Sequence, residues 1–401
     1  MTQKKKIFIV FGTRPETIKL APIIHEFKKN DDVNVRICVF RQHKKMLDQM
    51  LHTFSLKPDF NFSISMNDKD LLGSSVNIFK KVKTLLQSGI GILRFLFLLK
   101  REKPDMLIVQ GDTATVLLAV FLAYFFKISI AHVEAGLRTY DKYSPFPEEM
   151  NRQLLARLAD LHFAPTERAK QNLLQEHIPE KNIHVVGNTA IDTLLWTIER
   201  QKNPEIQKKL SDWFRQKYNL DFEKKKPAQS WSALGRKIIL VTAHRRENFG
   251  EGLQNICNAI VEIAKKRNDV VIVYPVHLNP NVSAVVRVLL SHKENIILTD
   301  PLEYEQFVFL MSASYIILTD SGGIQEEAPS LKKPVLVMRE NTERQEGVIS
   351  GVSKLVGTKT ETIVTEVLRL LDNQDDYQKM TVGENPYGDG FSTRKIIKAI
   401  K

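Results

Sequence analysis

Two apolar runs, Asp105-Met-Leu-Ile-Val109 and Lys127-Ile-Ser-Ile-Ala131, each lead into a polar segment that carries an acid. The first segment is Val109-Gln-Gly-Asp112-Thr113 and the second is His132-Val-Glu134-Ala-Gly-Leu-Arg-Thr139. Between them, Ala114 to Phe126 is apolar and long enough for a helix. Two short apolar runs joined by a helix form a β-α-β unit, and its strands are parallel because the helix returns the chain to the starting edge. Asp112 and Glu134 therefore emerge together at the carboxyl edge of one sheet, where open α/β sheets bind ligands. A third acid, Glu148, follows in Ser144-Pro-Phe-Pro-Glu-Glu-Met-Asn-Arg152. Three converging carboxylates suit proton-transfer chemistry. The competing reading of the same residues is structural, as helix caps and solvated surface acids.

The same alternation continues on both sides. Ile7–Phe11 and Val35–Phe40 read as strands, followed by helical patterns from Pro15 to Lys28 and from Lys44 to Leu51, and Val185-Val-Gly-Asn188 reads as a last strand. This predicts an α/β fold, a doubly wound parallel sheet with helices on both faces. A charged helical stretch then runs from Thr189 to about Leu220. The polar segment from Asp221 to Gly235 reads as a loop or insertion. A second α/β pattern starts beyond it, with strands at Ile238–Thr242, Val270–Tyr274, Ile296–Leu298, Tyr315–Thr319 and Pro334–Met338, and Ser392 to Lys401 is helical. At 401 residues the chain exceeds one ordinary domain. Two α/β halves imply a cleft, and ligand sites favour domain interfaces.

Composition removes several classes. The net charge is +12, much of it in short lysine runs such as Lys4 to Lys6 and Lys224 to Lys226. Such runs suit solvated faces, and without basic-aromatic interleaving they do not make a nucleic-acid site. The two cysteines, Cys38 and Cys257, have no metal-type spacing and cannot form a disulfide framework, which fits a reducing cytoplasm. The basic N-terminus is followed by an apolar run too short for a signal peptide and interrupted by Arg14-Pro15-Glu16. Leu85 to Leu99 is the most apolar helical region, but it contains Arg94 and falls short of a membrane span. A core or partner-facing helix fits better, with peripheral membrane contact open. No G-x-G-x-x-G follows the first strand and no G-x-x-x-x-G-K-[ST] occurs, which argues against a nicotinamide dehydrogenase and a P-loop enzyme. His132-Val-Glu134 mimics the H-x-E of zinc deaminases, but no P-C-x-x-C follows. The ten histidines show no paired zinc spacing.

Three further loops follow predicted strands. In Phe11-Gly-Thr-Arg14-Pro15-Glu-Thr-Ile-Lys19, Pro15 suits the start of a helix, so Arg14 stands at a helix N-terminus with Lys19 about one turn on. Two cations near a helix start attract a phosphate or a carboxylate. In Val241-Thr-Ala-His244-Arg-Arg-Glu-Asn-Phe-Gly250, a histidine follows a strand beside two arginines and could donate to phosphate or carry a proton. In Leu318-Thr-Asp-Ser321-Gly322-Gly323-Ile-Gln-Glu-Glu327, two glycines at a helix start allow backbone N–H groups to approach an anion. Glu327 is placed to accept from ribose hydroxyls, and Arg344, after the next strand, could add a cation. The bland alternatives are an exposed helix start, a structural histidine and an ordinary glycine turn.

Together these segments resemble the non-hydrolysing UDP-N-acetylglucosamine 2-epimerases. The likeness runs in order through F-G-T-R-P-E-x-I-K, Q-G-D-T, H-V-E-A-G-L-R-T, S-P-F-P-E-E-x-N-R, T-x-H-R-R-E-N, D-S-G-G-I-Q-E-E-A-P and N-T-E-R, over nearly the whole chain. The resemblance implies two Rossmann-like domains of the glycosyltransferase-B type with an interdomain active site, the last helix returning to the first domain. The expected division is 1–188 plus 383–401, carrying the catalytic acids, and 189–382, binding UDP. It also implies a cytoplasmic homodimer without metal, nicotinamide or other cofactor, and no integral membrane segment. The implied chemistry is elimination of UDP across C-1 and C-2, giving 2-acetamidoglucal, then re-addition with the C-2 proton on the other face. By resemblance Asp112, Glu134 and Glu148 are the essential acids, with Lys19 and His244 as cationic or proton-handling partners. Arg14, Lys19, Asp112, Glu134, His244, Ser321, Gly322, Gly323, Glu327 and Arg344 map onto substrate contacts, and Leu302 and Phe307 onto the uridine pocket. Gln42 and His43 match the Gln-His pair of a second, activating UDP-sugar site. Lys44-Lys45 depart from the usual pattern beside that pair, and Met66 to Leu72 lacks the usual arginine.

Alternatives remain at this level. Relatives acting on UDP-2,3-diacetamido sugars share these motifs. A hydrolysing epimerase would usually show H-I-H-G-G-E where this chain has His132-Val-Glu-Ala-Gly-Leu137. A retaining glycosyltransferase would need an acceptor and has no use for three acids. A non-catalytic nucleotide-sugar sensor would keep the pocket without turnover.

Overall fold

Ile7 to Phe11 are all buried, the pattern of a strand covered on both faces. They belong to β1 (Lys5–Phe11), which pairs in parallel with β2 (Val33–Phe40) on one side and β4 (Met106–Gln110) on the other. With β3 (Phe60–Phe62), β5 (Ser129–Val133), β6 (Leu161–Ala164) and β7 (Ile183–Val185), they form a seven-stranded parallel sheet in the order β3-β2-β1-β4-β5-β6-β7. The chain builds outward from β1 in one direction, then returns and builds in the other. The switch point lies between β1 and β4, and ligands of open α/β sheets bind at the carboxyl ends of strands there.

A second sheet repeats this plan. Its strands are β10 (Lys237–Thr242), β11 (Val270–Pro275), β12 (Ile296–Thr299), β13 (Ile316–Thr319), β14 (Val335–Val337) and β15 (Ser353–Leu355), in the order β12-β11-β10-β13-β14-β15. All pairings are parallel, and the switch point lies between β10 and β13.

This computed structural model describes residues 4–41, 44–63, 78–225, 230–233 and 235–401. The chain divides into two units, Met1–Thr193 with Gly388–Lys401, and Leu194–Tyr387. The division falls inside the helix Thr189–Gln201 rather than at the expected 188/189, and the return is at 387/388 rather than 382/383. The last helix, Ser392–Ile400, belongs to the first unit, where Asp192 accepts from the N–H groups of Ser392 and Thr393 and Lys5 Nζ donates to the Ile400 carbonyl. Each unit has its own core. In the first, Phe8, Val10, Phe40 and Leu107 from the sheet pack with Phe95, Leu99, Val120 and Leu155 from three helices. In the second, Ile239, Val241, Ile272 and Leu318 pack with Ile256, Ile260, Ile363 and Val367. Cys38 and Cys257 are buried free thiols.

Three strands of the two parallel sheets escaped the sequence reading: β3, β6 and β15, of three or four residues each. The expected last strand of the first half, Val185 to Asn188, begins earlier, at Ile183. The helical stretch after Thr189 is two helices, Thr189–Gln201 and Pro204–Tyr218. Pro204 starts the second, and Asn203 caps it through Glu205 N. The segment read as a loop from Asp221 contains an antiparallel pair, β8 (Phe222–Lys225) with β9 (Ser230–Ala233). Leu85 to Leu99 lies within a 25-residue helix, Ile78–Glu102, and no helix among the described residues is long and apolar enough to cross a membrane. Gln42, His43 and Met66 to Leu72, the segments bearing on a second ligand site, lie outside the described residues.

Candidate active site

The first unit gathers its candidates around its switch point. After β1 the chain turns through Gly12 and enters the helix Arg14–Lys28. A Cβ on Gly12 would lie 2.3 Å from the Phe40 carbonyl oxygen, so the turn requires glycine. Thr13 and Glu16 form a capping box at the helix start. Glu16 is buried and does more than cap. One carboxylate oxygen accepts from Gly12 N and Thr13 N at 2.6 and 3.0 Å, and the other from the Thr113 hydroxyl at 2.9 Å. It thus ties the β1 loop to the β4 loop, and burial pushes its carboxyl up against the lowering effect of these donors. Arg14 is exposed at the first helical position.

One turn on, Lys19 Nζ reaches both oxygens of Glu134 at 2.6 and 2.5 Å, with side chains only 17% and 9% exposed. The lysine read from sequence as an anion attractor at a helix start is committed here to a carboxylate of the same unit. Gln110, buried at the end of β4, also donates to Glu134. Glu134 adopts φ +66, the left-handed region, which costs a non-glycine residue about 1–2 kcal/mol. Two residues on, Gly136 at φ +88 packs so closely that a Cβ would sit 2.2 Å from the Ala169 carbonyl oxygen. This tight turn directs Glu134 towards Lys19. Behind it His132 is buried, its Nε2 2.8 Å from the Gly111 carbonyl oxygen, and burial lowers its pKa to about 4. It is thus neutral near pH 7, and Nε2–H donates to Gly111 directly before Asp112.

Asp112 is fixed by the helix Glu148–Leu158. Arg152 Nε donates to its carboxylate at 2.7 Å, and Asn151 Nδ2 donates to its main-chain carbonyl at 2.7 Å. Glu148 opens that helix, one turn before Arg152 and on the same face. One of its carboxylate oxygens is buried without a hydrogen-bond partner. Its neighbour Glu149 is spent on structure: it is fully buried and accepts from Thr139 N, Tyr140 N and Gln153 Nε2. The unit therefore brings Lys19 to Glu134 and Asp112 to the helix of Glu148. Arg152, which the sequence reading quoted but gave no role, is the link, and its i+4 spacing from Glu148 was the available signal.

In the second unit the candidates again follow the switch-point strands. His244 lies just beyond β10, and Ser321 just beyond β13. Ser321 is the N-cap of the helix Gly322–Glu327 but makes no side-chain capping bond, which leaves its hydroxyl out of the cap. A Cβ on Gly322 would stand 2.8 Å from Arg344 Cζ, so glycine admits the guanidinium against the helix start. Arg344 Nε donates to Glu326 Oε1 at 2.9 Å. Glu326 is buried, whereas Glu327, the acid singled out from sequence, is half-buried on the next helical position. Leu302 is buried just after β12, two strands from β10, and Phe307 is half-buried in the helix Tyr304–Ala313 that follows. Arg339, unremarked in the sequence, pairs with Glu247 and with Glu343 at 2.8 Å, bracing the loops after β10 and β14. Although burial opposes it, the Arg339 hydrogen bond holds the Glu343 carboxyl down at about 2. Among the described residues no cluster of His, Cys, Asp and Glu could hold a metal ion.

Comparison with known proteins places this geometry in company. Residues 25–401 match the family model described as UDP-N-acetylglucosamine 2-epimerase. The chain is 48% identical over 397 residues to a UDP-N-acetylglucosamine 2-epimerase of Yersinia pestis, covering 99% of this chain and 98% of the relative. It is 46% identical to that of Escherichia coli K12 over 396 residues, covering 99% and 98%. The crystal structure of the Neisseria meningitidis UDP-GlcNAc 2-epimerase bound to UDP-GlcNAc superposes with a TM-score of 0.83 at 43% identity, covering 98% of this chain and 99% of that one. That of the Methanocaldococcus jannaschii UDP-GlcNAc 2-epimerase with UDP-GlcNAc and UDP gives 0.75 at 32%, again covering 98% and 99%.

Proposed function

The chain belongs to the UDP-N-acetylglucosamine 2-epimerase family, and from that premise we propose how its own residues interconvert UDP-N-acetylglucosamine and UDP-N-acetylmannosamine. A carboxylate takes the C-2 proton while the C-1–oxygen bond breaks and its electron pair leaves with UDP. The intermediate is 2-acetamidoglucal. UDP then adds back to C-1, and a proton is delivered to the opposite face of C-2. No water is consumed and no cofactor is needed.

The C-2 proton is barely acidic, so removal and delivery need positioned acid–base groups on both faces of the sugar. The observation that carries the reading is the set of three acids at one sheet edge, two of them gripped by cations: Glu134 by Lys19 and Asp112 by Arg152. The unpartnered oxygen of Glu148 is an atom able to accept a proton. The first unit thus supplies the proton-handling groups. The second supplies nucleotide contacts: the Ser321 hydroxyl and the N–H groups of Gly322 and Gly323 with Arg344 and His244 for the diphosphate, Glu327 for ribose, and Leu302 and Phe307 for uracil. Arg14 adds a cation. Charge building on the departing diphosphate is what such donors stabilise. A cytoplasmic homodimer supplying N-acetylmannosamine units for surface polysaccharide completes the proposal.

Proton NMR of the protein with UDP-N-acetylglucosamine in heavy water tests it. UDP-N-acetylmannosamine carrying deuterium at C-2, with little free sugar, is the expected result. Free N-acetylmannosamine plus UDP would mean hydrolysis. No change with UDP still bound would mean a different UDP-sugar substrate or a sensor.

A further inference from the structure

Asp320 has no role in the chemistry described so far, yet it is completely buried between β13 and Ser321. A buried carboxylate needs hydrogen-bond donors. Its Oδ2 has three: His244 N and Arg245 N, each at 2.8 Å, and Asn248 Nδ2 at 3.1 Å. Its Oδ1 is also buried and has no hydrogen-bond partner among the described residues. What faces Oδ1 is His244 Nδ1, at 3.6 Å. The same carboxylate that grips the His244 backbone therefore confronts its ring. At 3.6 Å this is a contact short of a hydrogen bond, of the kind that tightens when a site is loaded.

The His244 ring is also held by a neighbour. His277, in the segment after β11, stacks on it with ring centroids 5.1 Å apart and planes 14° from parallel. The tautomer of His277 follows from its own partner. Its Nδ1 accepts the Asn279 N–H at 3.1 Å, so in the neutral ring the hydrogen sits on Nε2. Asp320 demands the opposite of His244: a carboxylate oxygen can only accept, so Nδ1 must carry the hydrogen.

We propose that Asp320 and His277 are positioning residues for His244. Asp320 fixes the tautomer with Nδ1–H towards Oδ1, so that a proton taken up by the ring sits on Nε2. His277 clamps the plane of the ring. An aspartate that orients a histidine in this way need not change its own charge. The inference rests on His244 serving the reaction proposed above, but its geometry is read independently of turnover.

Histidine-15N-labelled full-length protein, studied without nucleotide by long-range proton–nitrogen correlation at alkaline pH, tests it directly. Substitutions His244→Gln and His277→Gln assign the signals. The expected result is a neutral His244 protonated on Nδ1 and a neutral His277 protonated on Nε2. His244 protonated on Nε2, or an even mixture, would overturn the proposal, and this wild-type measurement stands even if variants fail to fold. Asp320→Asn sharpens it, because its amide NH2 would face Nδ1 while its oxygen keeps the three donors. That variant should flip His244 to Nε2–H and lower kcat at least about tenfold, with KM changed less than about threefold. A folded variant with unchanged tautomer and kcat would also overturn the assignment. If wild-type protein lacks turnover but shows the stated tautomers, the functional reading fails and the positioning geometry stands.

Discussion

The two switch points of this molecule share one topology but hold their candidate groups in two different ways. Between β1 and β4 the candidate groups hold one another side chain to side chain, Lys19 on Glu134 and Arg152 on Asp112. Between β10 and β13 the buried Asp320 grips backbone N–H groups, and a glycine-rich helix start carries Arg344 against it. A set of paired charges is suited to moving protons, because small shifts in pairing change which group holds one. A cradle of fixed N–H donors beside a cation is suited to holding an anion still. Fold alone does not dictate this division; the residues placed at the strand ends do.

The comparison can be broken most sharply at the acids. Asp112→Asn, Glu134→Gln and Glu148→Gln should each lower turnover at least about a hundredfold, or about 2.7 kcal/mol, with the fold intact by circular dichroism. Near-normal rates in all three would end the proton-handling assignment of the first unit.

Acid should also separate the units. Burial lowers His132 and His162, both in the first unit, to about 4. Their unfolded values lie near 6.5, so between 6.5 and 4 the unfolded chain binds more protons, and the stability from keeping each ring neutral is lost as pH falls through that window. The largest contribution per ring is about 3 kcal/mol. Glu16 and Asp192, raised by burial, act in the opposite sense. The clean readout is therefore a difference: a folded His162→Gln should lose less stability to urea between pH 6.5 and 4 than wild type. Equal losses would remove the histidine contribution.

Smaller effects belong to the second unit. Gly322→Ala places a methyl against Arg344 and should weaken UDP binding about tenfold by calorimetry, the size of one charge-assisted hydrogen bond. Ser321→Ala, which removes one hydroxyl, should weaken it by about tenfold at most. Unchanged UDP affinity in both would take this helix start out of the phosphate site.

Much of this arrangement was legible in the chain. The buried strands β1, β4, β5 and β10 are continuous apolar runs, and the loops after them carry Arg14, Asp112, Glu134 and His244. What escaped was short or non-local. β3, β6 and β15 are too brief for periodicity to register. The hairpin β8–β9 lies in a polar stretch where hydrophobic pattern is silent. Thr13-Arg-Pro-Glu16 was readable as a capping box, but the bond from Thr113 to Glu16 spans 97 residues and leaves no local trace. Asp320 stood beside the glycines that drew attention, and its donors come from more than 70 residues earlier. The bond from Arg344 to Glu326 spans 18 residues and was equally silent in the sequence.

The division of labour is tested most directly by measuring turnover and UDP affinity side by side in Glu134→Gln and Ser321→Ala. The account predicts opposite losses: Glu134→Gln keeps UDP affinity and loses turnover, while Ser321→Ala loses affinity and retains turnover at saturating substrate. Parallel losses of both quantities in both folded variants would contradict it.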